Sequence, residues 1–266
     1  MAPTLSPLVR YGGKTRLASR IIALMPPHEV YVEPFAGAAS VLFRKARTPR
    51  EIISDLDGRL VNCLKMMRDH PRLLQIVLEH TPYDRAEFGL CKQRSKDPLE
   101  DARRFFVLHR QSVNGLGEHW QRSAGTFRWK PWETWRNKIQ QLPAVSARLK
   151  GVEIYHAHYH RALANVLIDV DQPGTVIYAD PCYVHATRHS DSDYRCEMND
   201  DAHRDLLDVL RAMKHAHVLI SGYPSDLYAL ELKGWRVTRW RVKASAGNHR
   251  SDGRGTYRVE CVWRNW

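Results

Sequence analysis

The chain has 266 residues, 43% hydrophobic and 26% charged, enough to bury one sizeable core with room for an inserted lobe. No apolar run approaches the roughly 18 residues that span a membrane, and MAPTLSPLVRYGG lacks a charged stretch followed by an apolar one, so neither a span nor a signal peptide is expected. Forty-one Lys and Arg against 29 Asp and Glu give a net charge of +12, which points to a polyanionic partner, nucleic acid first. Five scattered cysteines (Cys63, Cys91, Cys182, Cys196, Cys261) without a CxxC predict a reduced, cytoplasmic protein with no disulfide frame.

Residues 14–25 (KTRLASRIIALM) place Leu17, Ile21 and Leu24 at helical spacing, which predicts a helix stopped by Pro26 and Pro27. VYVEPFAGAASVLF then reads as a strand over Val30–Val32, a glycine-containing turn and a helix starting near Ala38. EIISDLDGRLVNCL repeats the pattern, with a strand through Ile53, a turn at Ser54-Asp55 and a helix. Such units in series predict a parallel sheet covered by helices. Residues 71–111 read as helical throughout, including a helix over Asp97–Arg110. QSVNGLGEHWQRSAGTFRWKPW, rich in Gly, Ser and Asn, predicts loops or a hairpin around Ser123-Ala124-Gly125.

The α/β rhythm resumes at Val152–Tyr155 and Thr175–Ala179, followed by a helix from Asp200 to Lys214 and a strand over 218–222. Near the end Tyr257, Val259, Cys261 and Trp263 alternate with Thr256, Arg258, Glu260 and Val262. That is the pattern of a half-buried strand, expected to pair antiparallel with the 235–242 run. The predicted architecture is α/β: a doubly wound, mostly parallel sheet with an antiparallel C-terminal strand and a helical insertion. Residues 1–75 and 150–266 are expected to form the core and 76–149 the insertion.

Charge is uneven along the chain. Residues 81–150 carry fourteen Lys and Arg against seven Asp and Glu, and four of the eight tryptophans (Trp120, Trp129, Trp132, Trp135). Cations interleaved with aromatics suit phosphate contacts plus base stacking.

Two turns carry the chemistry. In VEPFAGAAS (32–40), Ala36, Gly37, Ala38 and Ala39 are small enough for a ligand to approach the backbone, and open sheets bind ligands at the carboxyl ends of their strands. Asp55 ends the next strand, where acidic residues accept ribose hydroxyls in nucleoside-binding Rossmann-like folds. A single glycine in nine residues is no pyrophosphate cradle, so a nucleoside without phosphate is favoured. In TVIYADPCYVHATR (175–188), a β-branched run ends in Asp180-Pro181-Cys182-Tyr183. This is either the Pro-Cys of a cysteine nucleophile or an Asp-Pro-x-Tyr grip on a planar amine.

YGGK (11–14), VEPFAGAAS, SDLD (54–57), RQSVNGL (110–116), DPCY (180–183) and the tail VECVWRNW, in this order over nearly the whole chain, resemble the Dam-like DNA adenine methyltransferases, phage-type members above all. SGYPS (221–225) and KASAG (243–247) belong to the same likeness. The resemblance implies a Rossmann-like fold and S-adenosylmethionine as methyl donor. Tyr11, Lys14, Glu33, Phe35, Gly37, Asp55 and Asp180 would then lie at that cofactor. Asp180 and the Pro181 carbonyl would accept hydrogen bonds from the amine of a flipped-out adenine, and Tyr183 would stack on the base. Residues 76–149 would recognise the target in double-stranded DNA. The family's usual turn is Asp-Pro-Pro-Tyr, and Cys182 departs from it. A cytosine-ring enzyme with a Pro-Cys nucleophile also needs an acidic partner, commonly in Glu-Asn-Val, which this chain lacks, so Cys182 reads as a small stand-in for proline.

Other candidates are weaker signals. Asn114 of RQSVNGL and the basic Arg122, Arg128 and Lys130 are expected at DNA, as are Arg188 and Arg250, most such arginines touching phosphate. His185, Arg188, Tyr194 and Arg195 would clamp the target strand or form a solvated loop. Lys243, Arg250, Arg254 and Arg258 form a basic segment suited to phosphates. His156, His158 and His160 in HAHYH alternate as on a strand edge, two to a face, but methyl transfer needs no metal and none is expected.

Overall fold

The computed structural model describes residues 6–10, 12–121, 131–163, 169–187, 198–243 and 257–266. In chain order these form α1 (Ala18–Ile22), β1 (Val30–Glu33), α2 (Ser40–Arg44), β2 (Arg50–Asp55), α3 (Gly58–Asp69), α4 (Pro71–Glu79), α5 (Arg85–Cys91) and α6 (Pro98–Gln111). There follow α7 (Pro131–Gln140), α8 (Leu142–Leu149), β3 (Glu153–His156), α9 (Tyr159–Leu163), β4 (Thr175–Ala179), α10 (Asp200–Arg211), β5 (His217–Gly222), α11 (Asp226–Glu231), β6 (Arg236–Lys243) and β7 (Tyr257–Arg264). The fold is α/β, with seven strands in one mostly parallel sheet that ends in antiparallel C-terminal strands, as the sequence pattern predicts. The chain divides into two compact units, residues 1–24 with 36–157 and residues 25–35 with 158–266.

In the first unit β2 and β3 pair in parallel, with Ile53 opposite Ile154 and Asp55 opposite His156. The strand therefore runs two residues past the predicted Ile53, because Ser54 and Asp55 continue the ladder. α3 begins where it does because Asp57 caps it, its carboxylate accepting from the N–H of Arg59 (3.1 Å) and Leu60 (3.4 Å). Asp97 caps α6 in the same way, with Pro98 in the first turn. Buried Leu60, Leu64, Phe105 and Phe106 lie on these two helices, and a buried Arg59–Asp101 ion pair of 3.1 Å joins them. The predicted helix over 14–25 shrinks to α1. The Leu17 and Ala18 N–H groups both turn back to the Lys14 carbonyl (2.9 and 2.7 Å), a tight turn before the helix proper.

Trp135, expected with the stacking aromatics, is a core residue only 4% exposed, edge-on to Phe106 at 5.5 Å. Its place on the inner face of α7 outweighs its charged neighbours in sequence. Trp132 is 44% exposed, and Trp129 and the turn at 123–125 lie outside the described residues.

In the second unit the strand order is β1-β4-β5-β7-β6. β1 and β5 flank β4 in parallel, with Val32 opposite Ile177 and Tyr178 opposite Leu219. Every residue of β4 is buried, as a strand covered on both faces requires. β7 runs antiparallel to β5 and β6, but the predicted alternation fails over half its length. Tyr257 (55%) and Val259 (39%) are exposed, whereas Cys261, Val262 and Trp263 are buried in succession. The cause lies in the pairing: β5 holds β7 only over Cys261–Arg264, and Tyr257–Glu260 pair with β6 alone.

No helix among the described residues is long and apolar enough to cross a membrane. The four described cysteines, Cys63, Cys91, Cys182 and Cys261, are free thiols.

One buried charge network fixes the first unit. Glu51 accepts from Lys45 Nζ (2.7 Å) and Arg148 Nη1 (2.6 Å), and Arg148 Nη2 also reaches the Leu42 carbonyl at 2.6 Å. Burial pushes the Glu51 carboxyl up, but the hydrogen bonds and charges of Arg148 and Lys45 outweigh it and hold the group below the ordinary glutamate value. A carboxyl depressed in the folded state adds stability above its unfolded pKa and loses it as pH falls. Glu51→Gln is therefore expected to cost about 3–5 kcal/mol at neutral pH, read from the urea midpoint, with the gap from wild type narrowing below about pH 4.

Candidate active site

In the first unit, Asp55 closes β2 and uses both oxygens on backbone. Oδ2 accepts from the Gly37 N–H (2.8 Å) and Oδ1 from the Asp57 N–H (2.9 Å). The turn it grips is bent tightly. Gly37 (φ 48°) and Ala39 (φ 49°) both sit in the left-handed region, and the Ala36 N–H reaches the Ser54 carbonyl at 2.9 Å. A side chain at Gly37 would meet nothing within 4 Å, so open space borders the turn at that position. Burial pushes the Asp55 carboxyl up, while the Arg10 charge and the two N–H bonds pull it back. Arg10 also reaches Asp57 at 3.2 Å. Lys14 is buried, with Nζ donating to the Gly12 carbonyl at 2.9 Å.

In the second unit, β1, β4 and β5 are parallel, so Glu33, Asp180 and Gly222 stand at the same, carboxyl edge. Glu33 is buried and accepts from the Tyr31 hydroxyl at 3.0 Å. Phe35 lies 5.4 Å from the Tyr159 ring. Behind the Asp180–Tyr183 turn, Tyr178 donates to or accepts from Ser221 Oγ at 2.9 Å. Burial raises its hydroxyl well above the ordinary value, and the carboxylates of Asp180, Glu33 and Glu260 raise it further. Pro181 is buried and Cys182 half-buried. Tyr228 is raised likewise by burial, then by Cys182 and Asp180, and its hydroxyl meets His203 Nδ1 at 3.1 Å.

Tyr183 is pinned by residues far away in sequence. Its hydroxyl donates to Glu260 at 2.6 Å, and its ring stands edge-on to Tyr223 at 4.3 Å. Arg258 donates to the Tyr223 hydroxyl at 3.0 Å and lies over that ring. Arg258, expected only as a phosphate contact, is thus also a brace of the turn. Neither Glu260 nor Tyr223 stood out as a site residue; the available signals were SGYPS, which begins in the last two residues of β5 and holds Tyr223, and the tail VECVWRNW, which holds Glu260.

The structure brings Gly37 and Asp55 together in the first unit, and groups Glu33, Asp180 and, through Glu260, Tyr183 around Tyr178 in the second. Tyr11, Arg122, Arg128, Lys130, Arg188, Tyr194, Arg195, Arg250 and Arg254 lie outside the described residues. The HAHYH histidines do not alternate along a strand, because β3 ends at His156 and α9 begins at Tyr159. His156 Nε2 is 3.1 Å from the Leu56 carbonyl, His158 packs on Tyr159, and His160 pairs with Asp205, which also accepts from the Tyr159 hydroxyl at 2.6 Å. Among the described residues no group of three or more His, Cys, Asp or Glu is placed to hold a metal ion.

The RQSVNGL segment makes a sharp corner after α6. Asn114 (φ 55°) is exposed at its tip and Gly115 (φ 72°) is buried beneath it. A Cβ on Gly115 would come within 2.2 Å of the Val9 carbonyl oxygen. Gly115→Ala should therefore lower stability by about 2–4 kcal/mol, through clash and left-handed strain. Gly89→Ala, inside α5 with nothing within 4 Å, should be neutral or raise stability by up to about 1 kcal/mol. Thermal melting of the two variants side by side checks the contrast.

Among proteins of known activity, the chain is 27% identical over 190 residues to the type II methyltransferase M1.LlaDCHI of Lactococcus lactis subsp. cremoris, covering 65% of this chain and 63% of that one. It is 24% identical over 240 residues to the DNA N-6-adenine-methyltransferase of Escherichia phage P1, covering 85% of this chain but 31% of that one. It thus spans less than two thirds of either relative. It is also 24% identical over 230 residues to the DNA adenine methylase of Serratia marcescens, covering 81% of this chain and 82% of that one. The family model for D12 class N6 adenine-specific DNA methyltransferases matches residues 11–235, from the glycine turn before α1 to the start of β6, and the chain belongs to that family.

Proposed function

We propose that the chain transfers a methyl group from S-adenosylmethionine to the exocyclic amine of adenine in double-stranded DNA, with the target base flipped out of the helix. The observation that carries this reading is the Asp180–Tyr183 turn at the carboxyl end of β4, braced by Glu260 and Tyr223, in a chain of this family. The amine's lone pair is delocalised into the purine ring, which makes it a poor nucleophile. Acceptors fixed on its hydrogens, the Asp180 carboxylate and the Pro181 carbonyl, favour a pyramidal nitrogen with its lone pair directed outward. Positioning and electrostatics of this kind supply most of the rate of a direct in-line displacement. Tyr183 would stack on the base, returning about 1–3 kcal/mol of the few kcal/mol spent on flipping.

The chain's residues fit the cofactor. Asp55 and the open, left-handed turn at Gly37 suit a nucleoside approaching the backbone, and we assign Tyr11, Lys14, Glu33, Phe35, Gly37, Asp55 and Asp180 to its binding. When bound, S-adenosylmethionine supplies an electrophilic methyl on a sulfonium. We assign residues 76–149 to target recognition and 1–75 with 150–266 to the catalytic core. Asn114, exposed at its corner, is assigned to DNA together with Arg122, Arg128, Lys130, Arg188 and Arg250.

The test is tritiated methyl transfer to unmethylated plasmid DNA, with product nucleosides separated by mass spectrometry. The expected product is 6-methyladenine. Asp180→Ala should lower kcat by about 10²–10³-fold or more, whereas Cys182→Ala should keep most of the activity. A 5-methylcytosine product lost in Cys182→Ala would overturn the mechanism, and a 4-methylcytosine product would change the substrate.

A further inference from the structure

β6 and β7 form a two-stranded ribbon that outruns the rest of the sheet. Gly222, the last residue of β5, pairs with Cys261, and the four residues Tyr257–Glu260 continue beyond it on β6 alone. At about 3.4 Å per residue the ribbon stands ~14 Å past the carboxyl edge of β5. This is the edge that carries the Asp180–Tyr183 turn.

The two faces of the ribbon differ in kind. Side chains directly opposite share a face, so one face carries Glu260 opposite Trp240 and Arg258 opposite Val242. That face is committed to the turn through the Glu260–Tyr183 and Arg258–Tyr223 bonds. The other carries Arg239 opposite Cys261 and Arg241 opposite Val259, with Tyr257 at the next place along β7. Arg239, Arg241, Tyr257 and Val259 are all exposed, and the Arg241 guanidinium lies 4.4 Å over the Tyr257 ring. Neither arginine forms an ion pair among the described residues, and no carboxylate occupies these cross-strand places.

A cationic face next to the edge where a target base must arrive is complementary to a polyanion. Resting on the methyltransferase reading, we infer that the Arg239–Arg241 face of the β6–β7 ribbon binds backbone phosphates of the duplex flanking the target. Arg241, preorganised on the Tyr257 ring, loses little side-chain freedom on binding. The contact carries no sequence information and serves to hold the duplex beside the turn.

The test is fluorescence anisotropy of a labelled, unmethylated duplex titrated with wild type, with the double variant Arg239→Gln/Arg241→Gln, and with Arg204→Gln/Arg211→Gln as control. The control arginines are exposed on α10 and paired with Asp201 and Asp208. Measured from about 50 to 200 mM KCl, the slope of log Kd against log salt should fall by about 2 in the ribbon variant and match wild type in the control. Equal melting temperatures confirm that the variants are folded. A ribbon variant with the wild-type slope, in a protein that methylates DNA, overturns this inference alone. A ribbon-dependent slope in a protein that transfers no methyl supports the inference and overturns the proposed reaction. No binding of wild type to the duplex overturns both.

Discussion

Parallel pairing of β1, β4 and β5 sends three chain exits out at one edge of the sheet, and the chemistry of the second unit depends on that coincidence. Each strand leaves the ladder with a polar residue or a sharp turn: Glu33-Pro34, Asp180-Pro181, and Gly222 followed by Tyr223. A strand covered on both faces buries nearly every side chain along its length, so a carboxylate is accommodated most readily at its end. β4 shows this plainly, with five buried residues and then Asp180. In the first unit β2 also ends in a carboxylate, Asp55, but carries a second one, the buried Glu51, along its length, where Lys45 and Arg148 offset its charge.

Once at the edge, carboxylates are held by different partners. Asp55 spends both oxygens on backbone N–H groups, which makes it part of the turn. Asp57, two residues on, caps α3 and takes a charge partner in Arg10. Glu260 accepts from the Tyr183 hydroxyl, so it fixes the far end of an aromatic ring. The deeper Glu51 lies between two cations and anchors α8 and α2 to β2. These carboxylates differ in what they touch, and that sets whether each one shapes backbone, ring or core.

Much of this was legible in the sequence. The β-branched run before Asp180, the small residues around Gly37 and the alternation of strands with helices depend on short-range patterns, and the family motifs lie in order along the chain. What escaped depends on contacts across long separations. Glu260 lies 77 residues from Tyr183, and nothing local in VECVW marks it as that tyrosine's partner. Trp135 looked like a stacking residue because its neighbours in sequence are charged, yet helical geometry turns it inward against Phe106. The C-terminal strand read as evenly half-buried because alternation cannot report where a neighbouring strand stops. Arg239 and Arg241 were hidden for the same reason, since their shared face is defined only by the register of β6 on β7.

The bond between Tyr183 and Glu260 also sets an order of assembly. During synthesis the Asp180–Tyr183 turn leaves the ribosome 77 residues before the carboxylate that anchors its tyrosine. Until β7 has docked against β5, the Tyr183 hydroxyl lacks its bond to Glu260, however well β1, β4 and β5 have formed. The brace on the Asp180–Tyr183 turn is therefore among the last contacts the chain can complete as it is made.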